Sequence, residues 1–275
     1  LRIRDRPTLR SMLCGRDREL QTVARLLEDA RAGRSGVLAV VGEAGIGKTA
    51  LLAYAEEQAS GMKVLRARGV RSEARIPFAG LLELLRPALG CLPAIPSPQA
   101  EALQGALALR PARAQDRFAV GAATLSLLAA YADTDPVVVL VDDGHWLDGS
   151  SADALLFAVR RLVADPVAVI VTVREGESSL LDEADLATLR LDGLDLPATT
   201  ELLSGQLGPP VRRELADRLP GVHEVALVVA GRPVERVALV AGRAEVERAV
   251  GGRVVDCLGH DPVLERVLGE VHDVV

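Results

Sequence analysis

The segment Gly42–Thr49 constrains the fold of this chain more than any other feature. It reads GEAGIGKT and matches the pattern GxxxxGK[ST] at every fixed position. The apolar run Val37–Val41 precedes it, and the helical segment Thr49–Ala59 follows. In this strand–loop–helix context, glycines let successive backbone N–H groups point at phosphate oxygens, and the helix N-terminus attracts the same anion. We therefore expect a phosphate-binding loop (P-loop) and disfavour a chance glycine-rich turn.

The P-loop predicts a purine nucleoside triphosphate, ATP, together with Mg²⁺ as cofactors. Lys48 would place its charge beside the β- and γ-phosphates, and the Thr49 hydroxyl would ligate Mg²⁺. The predicted phosphate-binding residues are Gly42, Glu43, Ala44, Gly45, Ile46, Gly47, Lys48 and Thr49.

A second motif, VVVLVDDGHWLD, ends an apolar strand in two acids. Asp142 would lie at the carboxyl end of the strand, where it could hold Mg²⁺ through water, and Asp143 could act as a general base on the attacking water. Acids after a strand are common, so this motif becomes informative through the P-loop about ninety residues upstream.

The residues around this motif leave alternatives open. His145 could contact the region of the γ-phosphate or have a structural role, and Trp146 is expected to pack the loop. The segment VIVTVRE places Thr172 and Arg174 at the end of the next strand. Arg174 could sense the γ-phosphate or stabilise charge in the transition state. A surface arginine at a strand end explains the same spacing equally well.

Short apolar runs alternate with helical patterns along the chain, which predicts an α/β fold with a mostly parallel sheet and helices on both faces. The predicted strands, beyond Val37–Val41 and Val137–Val141, are Val64–Ala67, Val167–Val173 and a short one near Leu189–Leu191. The predicted helices are Arg18–Ala32, Thr49–Ala59, Leu81–Leu89, Phe118–Ala132, Ala154–Val163 and one from Leu194, with a proline-rich loop at Leu92–Pro98.

Composition restricts the partners and the compartment. The net charge of -6 argues against a broad electrostatic grip on nucleic acid or anionic lipid. Three isolated cysteines, Cys14, Cys91 and Cys257, form neither a CxxC metal pair nor a disulfide framework, which favours a reducing compartment. No run approaches the ~20 apolar residues of a membrane span, and the first residues lack the apolar core of a signal peptide. We expect a cytoplasmic protein.

The segments LCGRDREL, GEAGIGKTALL, VDDGHWLD and VTVRE occur in this order. Together they resemble the ATPase domain of large LuxR-type (MalT-like) transcriptional regulators, which are AAA/STAND-type P-loop ATPases. The resemblance covers roughly residues 12 to 218. It implies adenine recognition by an element that maps onto Gly15, Arg16 and Glu19. It also implies catalytic roles for Lys48, Asp143 and Arg174, and a slow ATPase that works as a conformational switch.

The resemblance stops near Leu219, where the composition changes. Family members continue with a GNP-type turn, but this chain has no Asn, and nothing in its last fifty residues reads as a DNA-binding helix-turn-helix. We therefore predict a lead-in at 1–12, an ATPase domain at 13–218 and a divergent, poorly ordered tail at 219–275. We expect a truncated member of the family, without its regulatory and DNA-binding domains. Such a chain would bind neither DNA nor a membrane by itself, and it could associate with further copies of itself.

Two alternative functions remain. A small-molecule kinase is compatible with the P-loop and could recruit Arg66, Arg68, Arg71 and Arg75 to a lid over its substrate. The other alternative is a truncated remnant that binds ATP without productive output.

Overall fold

The computed structural model describes residues 13–109, 117–177, 186–195 and 198, together with the backbone of 222–225 and 239–241. The chain divides into two compact units. One is Arg16–Leu191, and the other combines Leu1–Gly15 with Asp192–Val275. The helices of the first unit are α1 (Asp17–Arg31), α2 (Lys48–Gln58), α3 (Ala79–Leu85), α4 (Ser97–Ala106), α5 (Arg117–Ala132) and α6 (Gly149–Val159), with 3₁₀ turns at Arg86–Ala94 and Gly144–Trp146. Its strands are β1 (Gly36–Gly42), β2 (Lys63–Arg68), β3 (Val137–Asp142), β4 (Val167–Arg174) and β5 (Ala187–Arg190).

The five strands form one parallel sheet in the order β2-β3-β4-β1-β5. The expected α/β fold with a mostly parallel sheet and flanking helices is confirmed. Because β4 lies between β1 and β3, the strand that leads into the P-loop is not a direct neighbour of the strand that ends in the two acids.

Side chains of the central strands alternate between two buried layers. The odd-numbered residues of β3 and β4 pack with α3, α4, α5 and α6 in one apolar core. Helices α1 and α2 instead contact each other and the strands β1, β3 and β4. Since successive residues of a strand face opposite sides of the sheet, the even-numbered Val138, Leu140 and Asp142 face α2. Thr172 has the same parity on β4, so the sheet presents Asp142 and Thr172 to the P-loop helix.

Two helices differ from their predicted bounds by more than one residue, for local reasons. Helix α3 ends at Leu85 rather than Leu89, because Pro87 lacks the N–H that would continue the α-helical hydrogen bonds. The chain continues from there as the 3₁₀ turn. Helix α6 begins five residues earlier than Ala154, since the Asp148 carboxylate caps its N-terminus by accepting a hydrogen bond from Ser151 N.

The second unit contains an antiparallel pair of short strands, β6 (Val222–Val225) and β7 (Leu239–Ala241). The sequence predicts a divergent, poorly ordered tail at 219–275, so these two strands are an addition to the sequence prediction. The helix predicted from Leu194 lies largely outside the described residues, and the domain bounds 13–218 and 219–275 stay predictions. Among the described helices, none combines the length and apolar character needed to cross a membrane.

Candidate functional site

The P-loop connects the buried end of β1 to the first turn of α2. Gly45 and Gly47 adopt φ angles of 76° and 105°, a region that residues with a Cβ rarely occupy. Gly47 directly precedes Lys48, the first residue of α2, and its carbonyl accepts the hydrogen bond from Leu51 N at 3.0 Å. The glycines of the motif therefore set the tight path of the loop.

The side chain of Lys48 folds back over the loop. Lys48 is only 7% exposed, and its Nζ donates hydrogen bonds to Gly42 O at 2.8 Å and Glu43 O at 2.6 Å. A buried ammonium requires polar partners to offset its desolvation. The loop carbonyls supply them, so the charge is held where the loop and the start of α2 meet.

One hydrogen bond joins the P-loop to the acidic motif. Thr49 Oγ1 donates to Asp142 Oδ2 at 2.9 Å. The other carboxylate oxygen, Asp142 Oδ1, accepts from Thr172 Oγ1 at 2.7 Å. The structure thus brings together two side chains that the sequence proposed for Mg²⁺, and it adds a third residue from β4.

Asp143 adopts a left-handed backbone conformation, with φ 51° and ψ 44°. Its N–H donates to Thr172 Oγ1 at 2.9 Å and to Asp142 Oδ1 at 3.2 Å. Its carboxylate accepts from the guanidinium of Arg68 at 3.3 to 3.4 Å. Asp and Asn tolerate this conformation better than most residues. The candidate base is therefore oriented by neighbours on β2 and β4.

His145 lies beside the end of β4. Its Nδ1 accepts a long hydrogen bond, 3.4 Å, from Arg174 N. Partial burial lowers the pKa of His145, and the positive charges of Lys48 and Arg174 lower it further, while Asp143 and Glu177 oppose the shift. A neutral ring is what this acceptor role requires, since a protonated imidazole has no acceptor nitrogen.

Arg174 itself lines a cavity of about 350 Å³ at the carboxyl ends of β1, β4 and β5. The same cavity is lined by Glu175, Glu177 and Arg190, and Arg190 forms an ion pair with Glu175. The structure therefore places Arg174 at the edge formed by the carboxyl ends of the strands, beside other charged groups.

Arg16 is buried, at 6% exposed, before the first turn of α1. Its guanidinium donates to Ile46 O in the P-loop at 3.3 Å and pairs with Glu19 at 3.1 Å. Gly15, directly before it, has a φ of 69°. The segment that the family resemblance proposes for adenine thus connects to the phosphate loop through the side chain of Arg16.

The sequence did not identify the role of Asp148, which is 3% exposed. One carboxylate oxygen accepts from Phe78 N at 2.8 Å and Ser151 N at 2.9 Å. The other accepts from Gly80 N at 3.2 Å and Ser151 Oγ at 2.6 Å. Asp148 therefore holds the start of α3 against the start of α6. The pattern Asp-x-x-Ser at 148–151 is an N-cap signal that could have revealed half of this role.

The oxygen donors at the site fit Mg²⁺ bound to a nucleotide. Mg²⁺ prefers hydroxyl, carboxylate and phosphate oxygens, and Thr49 Oγ1 and Asp142 Oδ2 already lie within 2.9 Å of each other. Lys48 lies at the start of α2, next to Thr49, with its charge held against the loop. These residues would hold the metal and the phosphates.

Comparison with known proteins agrees with this geometry. A sequence family described as the AAA ATPase domain matches residues 12–170. An uncharacterized protein of Rhizobium meliloti (strain 1021) is 29% identical over an alignment of 225 residues that covers 68% of this chain and 21% of that protein. The chain thus spans about a fifth of the length of this relative.

One solved structure shares the fold at low sequence identity, and a second shows a weaker likeness. A chain of the HORMA:CdnC:Trip13 complex of Escherichia coli MS115-1 has a TM-score of 0.50 and 12% identity, covering 78% of this chain and 79% of its own. A chain of Drosophila ORC bound to DNA has a TM-score of 0.46 and 16% identity, covering 80% of this chain and 60% of its own. At such identities the likeness concerns the fold alone.

Proposed function

Because this chain belongs to the AAA ATPase domain family and is a AAA ATPase-like nucleotide-binding domain, we propose that it is a signalling ATPase that uses Mg-ATP binding and slow hydrolysis as a conformational switch. The observation that carries the proposal is the 2.9 Å hydrogen bond between Thr49 and Asp142. It joins residues 93 positions apart into one oxygen cluster at the P-loop.

Each residue of the cluster has a separate task in the proposed reaction. Thr49 and Asp142 hold Mg²⁺, which when bound neutralises charge that develops on phosphoryl oxygens. Lys48 binds the β- and γ-phosphates. Asp143 orients the attacking water and accepts its proton, and Arg174 senses the γ-phosphate from the end of β4.

The switch would act through the elements around this cluster. A γ-phosphate can hold mobile segments in one arrangement and release them after hydrolysis. Gly15 and Arg16 would bind on the adenine side, since Arg16 contacts the loop through Ile46 O. The nucleotide would then connect α1, the P-loop and the acidic motif.

We further propose that the chain is the STAND-type ATPase core of a LuxR-type regulator in the cytoplasm. The four motifs quoted above support this assignment, and the long relative in Rhizobium meliloti is compatible with a module of a larger protein. Its partners would be regulatory and DNA-binding domains or further copies of the chain, rather than DNA bound by this domain itself.

The arginines do not favour a small-molecule kinase. Arg66 pairs with Glu56, Arg68 with Asp143, and Arg71 lies over the Trp146 ring at 5.1 Å from its centroid. Three of the four arginines that a kinase lid would recruit thus have partners within the fold.

Mg-ATP affinity and turnover of the purified chain test the proposal. Lys48→Ala should abolish ATP binding, because the loop loses the charge that faces the phosphates. Asp143→Ala should keep binding and lose turnover. Equal affinity of the wild type and Lys48→Ala would contradict the site, and unchanged turnover in Asp143→Ala would contradict the assignment of the base. Wild-type binding without turnover would favour the remnant.

A further inference from the structure

Thr172 is fully buried near the end of β4. Strand β4 lies between β1, which leads into the P-loop, and β3, which ends in the acidic motif. Its register neighbour on β1 is Val40, and its hydroxyl reaches Asp142 on the other side. The only polar atom of its side chain therefore lies at the junction of the two motifs.

The direction of the hydrogen bonds at this hydroxyl follows from its partners. Asp143 N–H donates to Thr172 Oγ1 at 2.9 Å, so that oxygen serves as an acceptor there. A hydroxyl carries one hydrogen, and the carboxylate oxygen Asp142 Oδ1, at 2.7 Å, accepts it. One side chain thus fixes the carboxylate of the first acid and the backbone of the second.

These two bonds have separate consequences for the acids. The bond to Asp142 Oδ1 occupies that oxygen and leaves Asp142 Oδ2 turned to Thr49. The bond from Asp143 N to Thr172, together with the longer bond to Asp142 Oδ1 at 3.2 Å, helps to hold a left-handed backbone, with φ 51°.

We propose that Thr172 is a positioning residue for both acids, and that it sets the affinity of the site for Mg²⁺. This inference rests on the proposed Mg-ATP function, except for its statement about the Asp143 backbone. Hydrogen-bond partners of metal-ligating carboxylates typically change metal affinity or activity by 10- to 100-fold when removed.

Thr172→Val is the decisive variant, because it keeps the branched shape and removes only the hydroxyl. Thr172→Ser keeps the hydroxyl and should retain the wild-type behaviour in both measurements below. The matched control is Thr124→Val on α5, since Thr124 is also fully buried and its hydroxyl donates to Val120 O at 2.8 Å within its own helix.

Amide hydrogen exchange tests the positioning in the full chain without nucleotide. We expect the Asp143 amide of Thr172→Val to exchange roughly tenfold faster or more, since a lost hydrogen bond of ordinary strength has about this effect. Thr172→Ser and Thr124→Val should retain the wild-type rate. An unchanged rate at Asp143 in Thr172→Val would overturn the proposed role in the backbone.

Binding of a fluorescent ATP analogue, titrated with Mg²⁺ and compared with EDTA, tests the role in metal affinity. In Thr172→Val the Mg²⁺ concentration for half-maximal effect should rise roughly 10- to 100-fold, with affinity in EDTA unchanged. An unshifted Mg²⁺ titration, or the same shift in Thr124→Val, would overturn the metal part. If the wild type binds no nucleotide, the proposed function and the metal part both fail, whereas hydrogen exchange still decides whether Thr172 positions Asp143.

Discussion

At the scale of the single residue, burial and charges of both signs act on the pKa of His145. Burial lowers its pKa, Lys48 and Arg174 act in the same direction, and Asp143 and Glu177 oppose them. The sequence left the role of this residue open. In the structure its Nδ1 accepts from a backbone N–H at the end of β4, which gives it a structural task at the edge of the site.

We predict that the His145 ring titrates below its usual pKa of about 6.5. Between that value and its lower pKa in the fold, the unfolded state binds more protons than the native state, so stability falls as the pH is lowered. Above about pH 6.5 the stability that depends on the neutral His145 ring is fully present. NMR titration of the ring, assigned with His145→Gln, measures the pKa directly.

The corresponding stability measurement is urea denaturation at several pH values. The wild type should lose more stability than His145→Gln between about pH 7 and pH 5.5. Parallel curves of stability against pH for the two proteins, or a titration midpoint of the His145 ring at or above about pH 6.5, would contradict the prediction. Either result would show that burial does not lower the pKa of His145.

Some site residues could be predicted from the sequence and others could not, for a physical reason. Lys48, Thr49 and Asp142 belong to short motifs whose spacing reflects local geometry, so their neighbourhood was foreseeable. The hydrogen bonds of Thr172 and Asp148 depend on which strands and helices become neighbours. Alternation along β4 would have placed Thr172 on the face of Asp142, but only once the strand order was known.

At the scale of the helices, Asp148 joins α6 to α3. It caps α6 and accepts hydrogen bonds from two backbone N–H groups at the start of α3, Phe78 N and Gly80 N. The hydrogen bond from Phe78 N joins residues about seventy positions apart in the sequence, so no local sequence pattern predicts it.

We predict that Asp148→Ala lowers the free energy of unfolding by roughly 2–4 kcal/mol, because it removes a helix cap and leaves buried donors without their acceptor. Equilibrium denaturation measures this loss. Asp133→Ala, at an exposed position, should change stability by less than about 0.5 kcal/mol. Similar values for both variants would contradict the role assigned to Asp148.

The loop after β2 lies unusually close to the acidic motif. A Cβ added at Gly69 would lie 2.1 Å from Asp143 O and 2.9 Å from Leu147 N, so the backbone would have to move. The arrangement of the loop after β3 therefore depends on a glycine in a different element.

We predict that Gly69→Ala lowers stability by roughly 1–3 kcal/mol, as overpacking does, and reduces ATP turnover by displacing Asp143. Gly90→Ala is the control, since a Cβ there would have no neighbour within 4 Å. Denaturation and phosphate release measured on both proteins provide the comparison. Wild-type turnover in Gly69→Ala would mean that the loop can shift without harm to the site.

At the scale of the whole molecule, nucleotide binding should raise the free energy of unfolding. A ligand at 100 times its Kd adds about 2.7 kcal/mol to the native state. For a unit of this size that corresponds to a rise in Tm of roughly 5–10 °C.

We predict such a rise with Mg-ATP for the wild type and none for Lys48→Ala, measured by thermal unfolding. ATP in EDTA should give a smaller rise, because the Mg²⁺ contribution is absent. A wild type with an unchanged Tm at millimolar Mg-ATP would contradict ATP binding and, with it, the working switch.

The insertion of β4 between β1 and β3 also determines when the nucleotide site can exist. Strand β1 pairs with β4 and β5, and the first of these partner residues, Ala168, follows Gly42 by about 126 positions. At roughly 5–20 residues per second, a ribosome needs roughly 6–25 s to synthesise that stretch. Throughout this interval the nascent chain carries a complete GEAGIGKT sequence with no sheet to support it, so nucleotide capture must wait until the end of β4 has been translated.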